Sequence, residues 1–405
     1  MLILAFVNVH FRKCVVKPLH LTIPTPGFDH PIVEDIIALE RWKSQTLGGT
    51  THPAVFADIK QVYHLLESLG SARIEGNRTT IDELVEAAVN GVSDSTEGLR
   101  EISNLEDAMS WIESVFAEES HRRIDHSFLQ ELHRLTVKNL RPPEVGGEGD
   151  PSPGRYRSGN VAIIGTSFVP PPGLDVPELM DRFISFINEP IDVRRSLMRI
   201  AIAHHRCAAI HPFRNGNGRV VRLLTYAMLI RDGYRIDQGR IINPTAVFCH
   251  SRADYMDGLS DADDGTEASN LRWCAFVLSG LRRELEKVGT LLDANILGPR
   301  ILQPTIRFAV QSGQITDEMA QVLSRIAKNG DGDASTYRSV YPGKSAASIS
   351  HIIADHKQIG IIAAYPTIRS RRYVARFSGP ALLTALIHTM DAEGYLPFRR
   401  DDRGA

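Results

Sequence analysis

A polar, glycine-rich loop between two apolar helical segments places the strongest constraint on how this chain folds. Apolar residues recur with helical spacing over 194–210 and again over 220–230, and residues 212–218 between them include two glycines around an asparagine. Such glycines let the backbone turn tightly and approach a ligand closely. The helix after the loop presents unpaired N–H groups and the positive end of its dipole. The pattern therefore predicts an anion-binding helix start within a mainly helical protein.

Three basic side chains surround this loop. His211 stands at its entrance, and Arg219 and Arg222 lie three positions apart in the next helix, so we expect them to project to the same side. Two guanidinium groups at a glycine-rich helix start suit a polyphosphate, and an imidazole beside it suits transfer of a phosphate-containing group. Taken singly, the glycines are more often a plain helix cap and the histidine is more often structural. Their joint spacing is much more specific.

The composition is that of a globular protein without a strong overall electrostatic field. Its 405 residues include 46 Lys+Arg and 48 Asp+Glu. The resulting net charge of −2 attracts neither nucleic acid nor an anionic membrane, but it does not exclude a local basic patch. The four cysteines are widely spaced without a C-x-x-C pair, so free thiols are expected rather than disulfides or a zinc site. We expect a cytoplasmic protein without a secretory signal or a membrane-spanning segment.

Helical patterns dominate the rest of the chain. A short strand is predicted at 161–164, and an amphipathic helix at 346–359 precedes strand-like runs at 361–364 and 373–377. The fold class predicted is mainly α, with a small α+β region at the C-terminal end. The chain divides into a poorly readable N-terminal segment, a helical region, a helical core, the α+β region and a tail, at 1–54, 55–100, 101–295, 296–395 and 396–405.

The segment 211–222 resembles the signature of the Fic family, usually written H-P-F-x-[DE]-G-N-G-R-x-x-R. Its one departure is Asn215, where the family generally has Asp or Glu. Residues 154–172 and 203–211 resemble the family's flap region and the helix that leads into its loop, and the resemblance covers about residues 55–290. It implies a Fic-type helical core with a short β-hairpin flap.

The resemblance implies a protein adenylyltransferase, which transfers AMP from ATP to a Ser, Thr or Tyr hydroxyl of a target protein. His211 would take the proton of that hydroxyl. Gly218 stands where kinase relatives carry Lys, which favours adenylyl over phosphoryl transfer. The residues implied to bind the nucleotide are Gly216, Asn217 and Gly218 at the α-phosphate, Arg219 and Arg222 at the outer phosphates, and Tyr255 at the wall of the site. Some relatives also remove AMP, and the sequence does not separate addition from removal.

Asn215 bears on the metal that the resemblance implies. The acidic residue at this position normally holds Mg²⁺ on the phosphates, whereas Asn215 offers a neutral amide oxygen. Mg²⁺ favours charged oxygen ligands and keeps several waters. We therefore expect a weakened site for Mg²⁺ or Mn²⁺. An alternative function is that of a regulator. It would act through a winged-helix-like region at residues 296–395, and its Fic core would hold a nucleotide but no longer transfer AMP.

A second segment resembles the family's inhibitory motif, [ST]-x-x-x-E-[GN]. It contains Ser71 as the expected N-cap of a short helix, then Glu75, and Gly76 as the residue that ends the helix. Taken alone, the segment fits a helix end with a solvated glutamate. By the resemblance, Glu75 would pair with Arg222 and occupy the place of the γ-phosphate, so that ATP binds only in a pose that is wrong for transfer.

The strand at 161–164 would be an exposed edge in an otherwise helical protein, and such an edge can add a strand from a partner. In the family the flap holds the target in this way, which implies target docking on Val161, Ala162 and Ile163. An ordinary surface hairpin is the alternative. The sequence does not identify the target protein, and it does not decide whether the protein modifies itself.

Residues 300–390 resemble the winged-helix region that many family members carry. Arg369, Arg371 and Arg372 form a basic cluster between the two strand-like runs, where a wing would turn. Such a wing can contact DNA phosphates. A protein-docking or homodimerisation role is favoured, because the helix that would read DNA also carries Asp355 and few basic residues. Analogy of fold is a weak argument for either function.

Overall fold

The computed structural model describes residues 20–44, 50–92, 95–163, 166, 168–234 and 244–398, and most of them are helical, which confirms the predicted mainly α fold class. The α-helices are α1 (Ile32–Ser44), α2 (Pro53–Ile74), α3 (Ile81–Asn90), α4 (Glu97–Glu118), α5 (His126–Thr136), α6 (Val176–Asn188), α7 (Val193–Ile210), α8 (Asn217–Arg231), α9 (Pro244–Cys249), α10 (Arg252–Ala262), α11 (Glu267–Gly289), α12 (Ala294–Leu297), α13 (Gln303–Gln311), α14 (Asp317–Asn329), α15 (Ala334–Val340), α16 (Ala346–Gln358) and α17 (Leu383–Ala392). An antiparallel pair, β1 (Ile362–Ala364) and β2 (Tyr373–Ala375), lies between α16 and α17, with Ile362 opposite Ala375.

The helices α7 and α8 lie at the centre of the helical core. Residues 196–207 of α7 and 219–231 of α8 are buried without interruption, and α4, α5, α6, α9 and α11 pack around the two helices. The indole N–H of Trp273 in α11 donates to the carbonyl of Ala201 at 2.6 Å, which fixes α11 against α7. The glycine-rich loop is therefore anchored at both ends by the most buried helices of the protein.

The helix α2 runs straight through the segment in which the sequence predicts a new helix start. Ser71 lies in its last turn, so the prediction that Ser71 is an N-cap is wrong. Gly70 does not break α2, since its missing side chain makes room for Cys249 and Phe398, which would lie 3.0–3.3 Å from an added Cβ. The helix ends where Gly76 adopts a φ of 101°, a conformation that favours glycine.

The C-terminal region is attached along α2. The carboxylate of Asp58, buried in α2, accepts hydrogen bonds from Arg376 Nε at 2.8 Å, from the N–H of Ser378 at 2.8 Å and from the hydroxyl of Ser378. At the other end of α2, the guanidinium of Arg73 lies 4.7 Å from the ring centre of Phe398. The helix that carries Glu75 at its end is thus held by residues far along the chain.

The strand predicted at 161–164 is absent from the part of it that the structure describes. Residues 161–163 have an irregular conformation, and Ile164 lies outside the described residues. The physical reason is that a run of three or four apolar residues forms a strand only when another strand pairs with it. The two C-terminal strand-like runs do pair with each other and form β1 and β2.

Two further expectations concern the cysteines and the membrane. Cys207, Cys249 and Cys274 are free and buried, as predicted, and Cys14 lies outside the described residues. Among the described residues, no helix combines the length and the apolar character needed to cross a bilayer.

Candidate active site

A cavity of about 170 Å³ opens beside the first turn of α8, where the glycine-rich loop ends. Its wall is built from the end of α2, from α7, α8 and α10, and from Ile163, Thr166 and Phe168. Predicted site residues in this wall are His211, Asn217, Gly218, Arg222, Tyr255, Glu75 and Ile163. The fold therefore brings the glycine-rich loop, the predicted inhibitory motif and part of the predicted flap to one place.

His211 ends α7 in a left-handed conformation, with φ 52° and ψ 60°. Its N–H donates to the carbonyl of Cys207 at 3.1 Å, and its own carbonyl accepts from Arg157 Nε at 2.7 Å, so its backbone is fixed on both sides. Burial and, to a smaller degree, the charge of Arg157 lower the pKa of His211 to about 4, although Ala208 and Glu75 act in the opposite direction. The imidazole is therefore neutral at pH 7 and can accept a proton.

Arg157 is a positioning residue that the sequence analysis did not single out. Its guanidinium is buried and donates to the carbonyls of Gly159 at 2.9 Å, Pro171 at 2.7 Å and Ile210 at 3.1 Å, in addition to His211. It joins the segment before α6 to the end of α7. No sequence signal marks an arginine whose partners are backbone carbonyls, because carbonyls belong to every residue type.

The loop itself is closed by Asn217. Its side-chain oxygen accepts from the N–H of Phe213 at 2.9 Å, and its side-chain nitrogen donates to the carbonyl of Phe213 at 2.9 Å. Gly216 adopts a φ of 74°, and a Cβ there would lie 2.9 Å from Val137. Both observations explain why the loop requires asparagine and glycine at these two positions.

His133 and Asp150 support the loop from behind and were also missed by the sequence analysis. The N–H of Gly154 donates to Nδ1 of His133 at 2.8 Å, so the ring carries its proton on Nε2, which donates to the carbonyl of Asn215 at 3.1 Å. The ring of His133 also stacks on Phe213, with 3.9 Å between ring centres. Asp150 accepts from the N–H of Asn215 at 3.0 Å.

The side chain of Asn215 is engaged within the loop and is not among the residues that line the cavity. Its Oδ1 accepts from the N–H of Gly216 at 2.8 Å, and its Nδ2 donates to the carbonyl of Gly149 at 3.2 Å. Among the described residues there is no group of three or more His, Cys, Asp or Glu side chains that could hold a metal ion. Asn215 therefore has one lone pair of a neutral amide oxygen left for a metal ion, so Mg²⁺ at this position would take most of its ligands from phosphate and water.

Arg222 forms hydrogen bonds with the predicted inhibitory motif. It is buried, its Nε donates to the hydroxyl of Ser71 at 2.8 Å, and its Nη2 donates to the carbonyl of Ser71 at 3.0 Å and to Glu75 Oε1 at 2.7 Å. Its Nη1 is buried and has no hydrogen-bond partner among the described residues. A buried guanidinium N–H needs an acceptor, and an anion beside Gly218 would supply one, because a Cβ on Gly218 would lie 3.2 Å from Nη1.

Arg219 is oriented differently from Arg222. Its Nη1 donates to Glu101 at 2.6 Å and its Nη2 to the carbonyl of Glu148 at 2.8 Å. It is buried and does not line the cavity, although its charge, like that of Arg222, lowers the pKa of Glu75. Glu101 also accepts from Asn77 Nδ2 at 2.7 Å, which connects Arg219 to the residues that follow Gly76.

Gly218 and Glu75 are in direct contact, and a Cβ added to Gly218 would overlap Glu75 Oε1. Burial alone would raise the pKa of Glu75, but Arg222, Arg219 and His211 together lower it below the usual value, so the carboxylate is charged. Glu75 therefore fills the space beside the N–H groups of α8 with a negative charge. A longer side chain at position 218 would exclude this arrangement.

Tyr255 is buried in the cavity wall and is held through His204. The hydroxyl of Thr225 donates to the carbonyl of Val221, so it accepts from His204 Nδ1 at 2.8 Å, and the other ring nitrogen accepts from the Tyr255 hydroxyl at 2.9 Å. Burial, with Arg222 nearby, holds the pKa of His204 well below its usual value. This neutral chain fixes the tyrosine ring in α10 against α7 and α8.

Comparison with known proteins agrees with this geometry. The model of the Fic/DOC family matches residues 123–229, which include α5 to α7, the glycine-rich loop and most of α8. A crystal structure of a Fic family protein from Desulfovibrio desulfuricans has the same fold, with a TM-score of 0.53 and 19% sequence identity, and covers 87% of this chain and 98% of its own. Residues 123–229 therefore match the Fic/DOC family, as the signature segment within them predicted, and the fold is that of a solved Fic family protein.

Two relatives are similar to about half of this chain in sequence. One is the protein adenylyltransferase Fic of Nematostella vectensis, 27% identical over 223 residues, which are 54% of this chain and 46% of that protein. The other is the protein adenylyltransferase Fic of Culex quinquefasciatus, 30% identical over 223 residues, which are 54% of this chain and 40% of that protein. The chain thus matches less than half of the length of each relative.

The environment of His211 gives a first testable prediction. We expect the His211 ring to titrate near pH 4 because burial disfavours the imidazolium, so it should show no change in charge between pH 8 and pH 6. The measurement is an NMR titration of the ring C–H resonances, with His211→Gln to assign the signal. A midpoint near the ordinary value of about 6.5 would contradict the buried, neutral base described above.

Proposed function

We propose that the protein is an adenylyltransferase that moves AMP from ATP to a Ser, Thr or Tyr hydroxyl of a target protein. The observation that carries the proposal is the meeting of His211, the N–H groups at the start of α8 and the unpartnered Nη1 of Arg222 around one cavity. A base next to an anion site is the arrangement that nucleotidyl transfer needs. The names of the two relatives support the same activity.

In the proposed reaction, the target hydroxyl oxygen attacks the α-phosphorus of ATP. The new O–P bond forms as the bond from the α-phosphorus to the pyrophosphate oxygen breaks, and His211 accepts the hydroxyl proton. The helix start at Asn217 and Gly218 faces the negative charge that develops on the α-phosphate. Arg222 would bind an outer phosphate once Glu75 has left it. Arg219, which is held by Glu101, is assigned to positioning of the loop instead.

We further propose that Glu75 inhibits transfer in this conformation. Its contact with Gly218 occupies space beside the phosphate site, and its ion pair with Arg222 removes the cation that an outer phosphate needs. The same carboxylate could orient a water for removal of AMP, so the proposal includes reversal of the modification. Release of Ser71, Glu75 and Asn77 from Arg222 and Glu101 would be the activating step.

Residues 161–163, together with Thr166 and Phe168, are proposed to receive the target. Ile163, Thr166 and Phe168 line the cavity that contains His211. Arg157 donates to the carbonyls of Gly159, before these residues, and Pro171, after them. An extended target segment that lies along 161–163 would bring its hydroxyl to the open side of the cavity. Docking of this kind would select a target for its extended backbone more than for its amino-acid sequence. The protein itself remains a candidate target.

Removal of Glu75 tests the inhibition. We expect Glu75→Gly to raise the rate of AMP incorporation from labelled ATP by about 10- to 100-fold, because a charge-assisted Arg–carboxylate bond contributes about 1.5–3 kcal/mol. The matched control is Glu119→Gly, which removes an exposed glutamate from the C-terminal end of α4. His211→Ala in the Glu75→Gly background should lower the rate by about 10²-fold or more. If wild type and Glu75→Gly transferred AMP at equal rates, and both rates depended on His211, inhibition by Glu75 would be refuted. The proposal of AMP transfer would stand.

The neutral residue in the loop gives a prediction about metal dependence. We expect Asn215→Asp, in the Glu75→Gly background, to raise the transfer rate at limiting Mg²⁺. Aspartate has two charged oxygens, so one can accept from the N–H of Gly216 while the other binds Mg²⁺. The measurement is the rate as a function of Mg²⁺ concentration. Asn90→Asp, at the exposed end of α3, is the control. Superimposable Mg²⁺ curves for all three proteins would show that the neutral side chain does not limit metal use.

Binding of duplex DNA is a second candidate function, and the charges of the C-terminal region favour it. Lys344, Arg369 and Arg371 are exposed and have no ion-pair partner among the described residues, and Ile368 between the last two is 89% exposed. Arg372, by contrast, forms a bidentate pair with Asp331. Support for the proposal comes from the order α15, α16, β1 and β2, which would place these residues before a recognition helix and in a wing.

The DNA proposal is tested by fluorescence anisotropy with a labelled duplex at several salt concentrations. We expect salt-dependent binding that Arg369→Ala/Arg371→Ala weakens about tenfold or more, with a reduced salt slope, since each phosphate contact releases counterions. Arg78→Ala/Arg123→Ala removes two exposed arginines elsewhere and serves as the control. Equal affinity of both double variants would assign the region to protein contact instead.

A further inference from the structure

A second cavity lies between α2, α3, α4 and the segment 378–383, away from His211. Its volume is about 200 Å³, and it shares no lining residue with the cavity that contains His211. Most of its wall is apolar and comes from Leu65, Leu84, Leu99 and Leu383, one from each of the helices α2, α3, α4 and α17. A fully apolar cavity of about 150 Å³ can accommodate a benzene ring, so this one accepts a ring with a short chain.

One carboxyl group faces this apolar space. Glu106, in α4, lines the cavity, is only partly exposed, and has no hydrogen-bond or ion-pair partner among the described residues. None of the lining residues is a lysine, arginine or histidine that could neutralise it. Burial, and to a smaller degree Asp107, raises the pKa of Glu106 to about 7. A carboxylate in such surroundings is stabilised when a cation or a strong hydrogen-bond donor binds to it.

We propose that this cavity binds a small molecule with an apolar ring or chain and a terminal ammonium group. The apolar part would lie against the leucines, and the ammonium would donate to Glu106. The volume excludes a folded peptide or a helix as occupant. An anionic ligand is disfavoured because the single charged group in the wall is acidic, and a neutral ligand would leave the Glu106 carboxyl without a charged partner.

The position of this cavity gives its ligand contacts with two parts of the chain. The lining residues Gln61 and Leu65 belong to α2, whereas Ser378 and Leu383 belong to the C-terminal region. Ser378 is also the residue that holds Asp58 of α2. A bound amine would therefore rest against the junction that fixes the helix whose end carries Glu75. The binding proposal stands on the cavity and on Glu106 alone and does not depend on AMP transfer.

The experiment is calorimetric titration of the full-length chain with three probes of similar size: phenethylamine, 2-phenylethanol and 3-phenylpropionate. We expect phenethylamine to bind with a dissociation constant of about 1 mM or below, in line with the limits for a ligand of this size. The alcohol should bind about tenfold more weakly, and the carboxylate should show no saturable binding. Thermal unfolding with phenethylamine should show a rise in melting temperature, since a ligand of the folded state stabilises it.

Three variants make the test specific. Glu106→Gln keeps the volume of the side chain and should weaken phenethylamine binding about tenfold or more, the loss expected for a charge-assisted hydrogen bond. Glu86→Gln, on the exposed side of α3, is the matched control and should leave the affinity unchanged. Ala88→Trp, at an exposed position of the cavity wall, should reduce the binding of phenethylamine and 2-phenylethanol alike.

The proposal fails on any of three results. They are the absence of saturable phenethylamine binding to the wild-type protein, equal affinities of wild type and Glu106→Gln, and binding of 3-phenylpropionate as tight as that of phenethylamine. Melting curves of the variants without a probe establish that each is folded, so that loss of binding cannot be confused with loss of structure.

Discussion

The buried guanidinium of Arg222 is the group on which the arrangement of the site depends. It lies in the second turn of the central helix α8, and the end of α2 surrounds it with the hydroxyl and carbonyl of Ser71 and the carboxylate of Glu75. A charge that is removed from water needs such partners, since an unpaired buried ion is costly. One nitrogen, Nη1, nevertheless stays without a partner among the described residues. The same side chain therefore holds α2 in place and offers a donor to an anion.

The position of α2 is in turn set by contacts of its two ends with the C-terminal region. Asp58 joins it to Arg376 and Ser378, and Arg73 lies against Phe398, next to the turn that carries Ser71 and Glu75. Asn77, just beyond α2, adds a bond to Glu101, the partner of Arg219. Movement of α2 would disturb these contacts together. The proposed inhibition is thus a property of the whole helix, and the cavity beside Glu106 lies against the same helix.

Where prediction from the sequence failed, a tertiary contact outweighed a local pattern. Ser71 has the residue type of a helix cap, but packing of Gly70 against Cys249 and Phe398 lets α2 continue through it. Arg219 has helical spacing with Arg222, but Glu101 of α4 holds it away from the cavity. Residues 161–163 have strand-forming composition and no paired strand among the described residues.

The sequence by itself determined the helical class, the glycine-rich start of α8 and the family that the loop resembles, because each rests on residues that are neighbours along the chain. Helical periodicity, the two glycines around Asn217 and the His211-to-Arg222 spacing are local properties, and local geometry follows from them. Only the tertiary structure decided which arginine faces the cavity, that Glu75 is in contact with Gly218, and that Arg157 and His133 support the loop. These contacts join residues far apart in the chain, and their partners are backbone carbonyls or buried charges whose positions only the packed core fixes.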